Sequence, residues 1–89
     1  MEIKKMASAG TMESSDVYVE IEPGTGTLAV QLESVVADQF GDAIRTVVLE
    51  ELNKQNVENA NVRVVDRGAL ECVIRARVET AILRGKGDA

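Results

Sequence analysis

The chain has no histidine, no tryptophan and one cysteine, and Tyr18 and Phe40 are its only aromatic residues. Each shortage excludes something. Without histidine there is no usual base for a serine or cysteine nucleophile. A single cysteine, Cys72, excludes an intrachain disulfide, and with no histidine there is no zinc-ligand cluster. Gly24-Thr25-Gly26 lacks the Lys-Ser/Thr pair of a phosphate-binding Walker loop. No apolar run is long enough to cross a bilayer. The start, Met1-Glu2-Ile3-Lys4-Lys5, has charges without an apolar stretch behind them, so neither a signal peptide nor a membrane association is expected. A cytoplasmic protein is the expectation. Ten basic against fifteen acidic residues leave a net charge of −5. That balance argues against nucleic acid, whose phosphates need a basic surface, and against an anionic membrane. It leaves room for a basic protein partner. So poor a catalytic kit describes a carrier, adaptor or subunit rather than a complete enzyme.

At 89 residues the chain makes one small domain, with a core that must be aliphatic. Residues 1–8 alternate weakly through Ile3 and Met6 and could pair as an edge strand or fray; 1–8 and 85–89 are expected to be flexible. Asp16–Glu22 alternate cleanly, with Val17, Val19 and Ile21 on one face. Thr27–Glu33 alternate again through Leu28, Val30 and Leu32. Pro23-Gly24-Thr25-Gly26 between them signals a turn, and the pair is expected to form an antiparallel hairpin.

Beyond residue 34 the period becomes helical. Val36, Phe40, Ala43, Ile44, Val47, Val48 and Leu52 form one stripe, predicting a helix over 35–54, with Asn53, Asn56 and Asn59 suited to its exit. Asn61–Asp66 form the next strand. Residues 69–83 fit a helix through Leu70, Val73, Ile74, Arg77, Val78, Ala81 and Ile82, although Leu70–Arg75 also alternate as a strand would. The fold class expected is α+β: a two-layer sandwich in the order β-β-α-β-α, its small, mostly antiparallel sheet covered by helices on one side.

Ahead of the first clear strand lies Ala9-Gly10-Thr11-Met12-Glu13-Ser14-Ser15-Asp16-Val17, small and polar. Turn chemistry alone would make its serines ordinary loop residues. The spelling, however, resembles the N-terminal signature of the citrate lyase acyl carrier protein family. Gln39-Phe40-Gly41-Asp42-Ala43-Ile44-Arg45, Val65-Asp66-Arg67-Gly68-Ala69-Leu70-Glu71-Cys72 and Arg75-Ala76-Arg77 resemble the same family, in order and over nearly the whole chain. Met12 stands where the family usually has Leu, and Glu71 where it has Asp.

The resemblance implies that Ser14 holds 2'-(5''-phosphoribosyl)-3'-dephospho-CoA through a covalent phosphodiester. Ser15 is set aside, since the family often has glycine there. The partners implied are the citrate lyase alpha chain, which exchanges acyl groups, the beta chain, which cleaves the citryl thioester, and a transferase that attaches the cofactor. The net reaction would turn citrate into acetate and oxaloacetate. Glu13 and Asp16 are candidates for partner recognition only, and Arg63, Arg75 and Arg77 are either phosphate contacts or a solvated face. Cys72 is expected to be a small buried hydrophobe, the working thiol belonging to the cofactor. Two other readings stand beside this one: the carrier of a malonate decarboxylase, and an assembly module without a cofactor.

Overall fold

The computed structural model describes residues 1–35 and 37–87, those at 37–40 by their backbone alone. The stripe positions Val36 and Phe40 therefore lie outside what is described, as do residues 88–89. The elements are β1 (Ala7–Gly10), β2 (Val17–Pro23), β3 (Leu28–Ser34), α1 (Ala37–Lys54), β4 (Ala60–Asp66) and α2 (Glu71–Gly85). This is the expected two-layer α+β architecture with one strand more. The four strands form a sheet in the order β1-β2-β4-β3. β1 pairs with β2 and β2 with β4 antiparallel, whereas β3 runs parallel to β4.

That order corrects the expected hairpin. β2 and β3 run in opposite directions, but β4 lies between them and bonds to both. In register, Pro23 and Leu28 both face Ala60. The loop joining them therefore spans two strand spacings, about 10 Å, across the start of β4. Two contacts hold it there: Gly26 N–H donates to Asn59 Oδ1 at 2.8 Å, and Ala60 N–H donates to the Thr27 carbonyl at 3.1 Å. A Cβ on Gly24 would run into Asn59 and the Ala60 backbone. A Pro-Gly-rich turn reports that the chain reverses; it does not report which strand lies alongside. The central position goes to β4, whose Ala60, Val62, Val64 and Val65 are all buried, and α1 provides the long crossover that a parallel pair requires.

One face of the sheet presents Val17, Val19, Ile21, Val62 and Val64 to the helices. Ile44, Val47, Val48 and Leu52 from α1 and Ile74, Val78, Ala81 and Ile82 from α2 complete an aliphatic core. α1 closes in a Schellman motif. Asn56 takes φ 59°, its N–H donates to the Asn53 carbonyl, and Val57 N–H donates to the Leu52 carbonyl at 2.9 Å. Ahead of β1, Ile3 is buried, and the Lys4 and Lys5 N–H groups donate to the Gly85 carbonyl at the far end of α2.

α2 takes the helical period, not the strand alternative. Two members of the expected pattern move outward as a result. Cys72 is exposed, not buried. It lies two residues before Ile74, about 200° around a helix of 3.6 residues per turn, so burying Ile74 turns Cys72 to solvent. Leu70, counted in the apolar stripe, precedes the helix and is 71% exposed.

Candidate functional site

β1 and β2 are joined by Thr11–Asp16, the segment singled out by its serines. Its geometry starts from Gly10, whose φ of +88° favours glycine; a Cβ there would overlap the Val17 carbonyl oxygen. The Asp16 N–H donates to the Glu13 carbonyl at 3.1 Å, closing a four-residue turn with Ser14 and Ser15 at its centre. Ser15 has φ 66°, the positive value that the third residue of a type II turn requires. Glycine takes that state without strain, which accounts for the glycine that the resemblance often places there.

Asp16 ties the loop together. Its Oδ2 accepts from Thr11 Oγ1 at 2.7 Å and its Oδ1 from the Val17 N–H at 2.7 Å. Arg77 of α2 spans both oxygens, with Nε and Nη2 each at 3.3 Å. The Thr11 hydroxyl, the Val17 N–H and the Arg77 guanidinium hold the Asp16 carboxyl down at about 2, below its ordinary 3.8. The turn before α2 completes the frame: Ser15 N–H donates to the Arg67 carbonyl at 2.8 Å, and Arg67 N–H donates to the Asp16 carbonyl at 2.9 Å. Asp66, buried at the end of β4, accepts from Ser34 Oγ at 2.8 Å and from the Ala69 N–H at 3.0 Å. It thereby fixes the chain that supports the loop.

Within this frame Ser14 is exposed, and its hydroxyl bonds to none of the described residues. A fixed backbone thus carries a free hydroxyl. The loop offers what a phosphodiester anchor would need: an exposed primary alcohol without a hydrogen-bond partner among the described residues. Glu13 is exposed beside Ser14, while Asp16 is half-buried and bonded within the loop. Of the three arginines considered, Arg77 holds Asp16, and Arg75 is shared by Glu50, Glu51 and Glu71. Arg63 lies exposed on the open face of the sheet, opposite Glu20 and Gln31 in register.

Thr11 and Arg77 are the residues whose role in the loop the sequence reading missed. Arg77 had a signal, since a charge inside the apolar stripe of α2 calls for a partner. Thr11 and Asp16, enclosing a polar turn, could have been read as its two ends. No group of histidine, cysteine, aspartate or glutamate among the described residues could hold a metal ion. No described helix is long and apolar enough to cross a membrane.

Comparisons with known proteins converge on one group. Residues 4–85 match the family described as ACP: malonate decarboxylase delta subunit (MdcD). The chain is similar to the citrate lyase acyl carrier protein of Escherichia fergusonii, with 54% identity over 94% of this chain and 88% of that one. It is similar to that of Oenococcus oeni, with 52% identity over 94% and 87%. Among solved structures, a chain of a Pseudomonas malonate decarboxylase hetero-tetramer in complex with malonate has the same fold. Its TM-score is 0.82 at 24% identity, covering 94% of this chain and 87% of that one.

Proposed function

Since this chain belongs to the family of acyl carriers that takes in the malonate decarboxylase delta subunit and the citrate lyase acyl carrier protein, we propose that it is the acyl carrier subunit of a citrate lyase, with Ser14 as the attachment point of its prosthetic group. The observation that carries this reading is the exposed hydroxyl of Ser14, without a hydrogen-bond partner among the described residues, on a loop held by Asp16, Arg77 and Arg67. The identities of 45–54% to citrate lyase carriers, over nearly the full length of each chain, favour citrate over malonate.

The group proposed is 2'-(5''-phosphoribosyl)-3'-dephospho-CoA. When bound, it supplies the thiol on which acetyl and citryl travel as thioesters. The chain's own residues do the presenting. Ser14 Oγ would attack a phosphorus of an activated phosphoribosyl donor, its O–P bond forming as the bond from that phosphorus to the donor's phosphate leaving group breaks. A serine hydroxyl needs a base to take its proton, and no carboxylate of the loop is bonded to it. The base is therefore assigned to a separate attaching transferase. Once formed, the anchor lies on a turn whose backbone is held at Glu13, Ser15 and Asp16. The tether then raises the effective concentration of the acyl group at each partner's active site. The partners proposed are the citrate lyase alpha and beta chains, in the cytoplasm.

A malonate decarboxylase carrier is the second reading, favoured by the family match and the shared fold. Reconstitution with each set of partner subunits separates the two. Citrate cleavage that is restored by the loaded wild-type chain and absent with Ser14→Ala supports the proposal. Restoration of malonate decarboxylation alone replaces it with the second reading, and activity retained by Ser14→Ala in either system leaves only an assembly role.

A further inference from the structure

Leu70 breaks two local rules at once. It occupies the N-cap of α2, where no side chain caps the helix. Ser, Thr, Asp and Asn are strongly preferred at that position, and leucine is among the poorest choices. It is also 71% exposed, so its side chain gains little from burial in return. A residue that serves neither its helix nor the core is a place to look for function.

Its position is specific. The turn that leads into Leu70 is bonded to the serine loop in both directions, through Ser15 N–H to the Arg67 carbonyl and Arg67 N–H to the Asp16 carbonyl. Two more exposed apolar residues share this end of the molecule. Met12, 45% exposed, lies two residues before Ser14, and Val35, 62% exposed, donates its N–H to the Asp66 carbonyl next to Arg67. None of the three belongs to the core cluster. Met1, Met6 and Leu83, also exposed, sit toward the opposite end, where α2 finishes beside Lys4 and Lys5. Exposed Glu13, Arg67 and Glu71 give the patch a polar surround, the pattern of an apolar anchor within a charged rim.

We infer that Leu70, with Met12 and Val35, forms the docking surface for the transferase that modifies Ser14, Leu70 entering an apolar socket on that enzyme. The inference rests on the carrier reading above. The bonding points to what covers the patch: an active site that closes on the Ser14 hydroxyl meets Met12, two residues away, and the turn at Arg67, which is bonded to Ser15 and Asp16.

The test uses the full-length apo chain, the purified attaching transferase and its activated donor, with attachment followed by intact mass at varied carrier concentration. Leu70→Ser is the informative variant because its two expected effects oppose one another. A serine can cap α2, so the thermal midpoint stays level or rises. Loss of the anchor raises the KM for the carrier about tenfold, the scale of one leucine side chain taken from water, with kcat little changed. Met12→Ser, at an exposed position outside the described core cluster, raises KM in the same direction. A KM within twofold of wild type for both variants overturns the docking surface, as does a raised KM that appears only where the midpoint falls. A wild-type chain that the transferase leaves unlabelled refutes the carrier reading itself, a result distinct from either.

Discussion

Asp16 is bonded at once to a hydroxyl, a backbone amide and a guanidinium, and its ionisation sets how the serine loop responds to acid. A carboxyl held at about 2 in the folded chain, against an ordinary 3.8, favours folding in its charged form. The stabilisation is fully present above about pH 4 and is lost as the pH falls through about 2. Carboxyl carbon NMR should show Asp16 titrating well below the ordinary 3.8 of an aspartate. In Asp16→Asn the amides of Ser15 and Val17 should exchange faster at neutral pH, while core amides in β4 stay protected. An Asp16 titration near 3.8 would mean that the loop is not held in this way. Ser14 is the opposite case. It is exposed and its hydroxyl bonds to none of the described residues, so Ser14→Ala should change unfolding free energy by less than about 0.5 kcal/mol, and a larger loss would reveal a buried role. In the sequence, the neighbours of Ser14 are what single it out for the proposed role. The sequence did not reveal that Asp16, a candidate for recognition, is bonded inside the loop, because Arg77 reaches it from 61 residues away.

Among the elements, the two helices meet across a charge cluster that periodicity does not register. Glu51 falls on the buried side of α1 at 3% exposure, and its Oε2 has no hydrogen-bond partner among the described residues. Its Oε1 accepts from Arg75 Nη1 at 3.3 Å, and Arg75 is also held by Glu50 at 2.8 Å and Glu71 at 3.3 Å. Removing one partner of a buried ion pair leaves a charge uncompensated, whereas replacing both with apolar side chains is often neutral or better. Arg75→Met should therefore lower the thermal midpoint, and adding Glu51→Leu should recover most of the loss. Failure of the second change to recover it would show that Arg75 acts through Glu50 and Glu71 instead. Local patterning placed every strand and helix of the expected order within about two residues, which is the ordinary uncertainty of an element end. It did not place β4 between β2 and β3, since strand neighbours depend on long-range pairing that a turn sequence does not encode. The short β1, with one buried residue, Ala9, is too brief and too small-residued to show a period.

As a whole molecule, the protein is a small platform with its two ends doing different work. One end joins the N-terminal segment to the finish of α2; the other gathers the starts of β2 and α2, the ends of β3 and β4, and the serine loop. The two edge strands each receive an arginine, Arg84 donating to the Ser8 carbonyl and Arg45 to the Val30 carbonyl. Those contacts occupy edge groups that could otherwise pair with another chain. Composition had already pointed to a carrier or subunit, and the family comparison agrees. The docking residues were not legible, because an exposed leucine looks like a core leucine until the fold shows where it stands.

The central claim is that Ser14 is a covalent anchor. It is tested most directly by purifying the chain from a cell that also expresses the attaching pathway, measuring its intact mass, and mapping any added group to a peptide and residue. The account predicts a phosphodiester-linked group carrying a thiol, on Ser14 and not Ser15, absent from Ser14→Ala. An unmodified mass from such a cell, or the group found on any other residue, would contradict it.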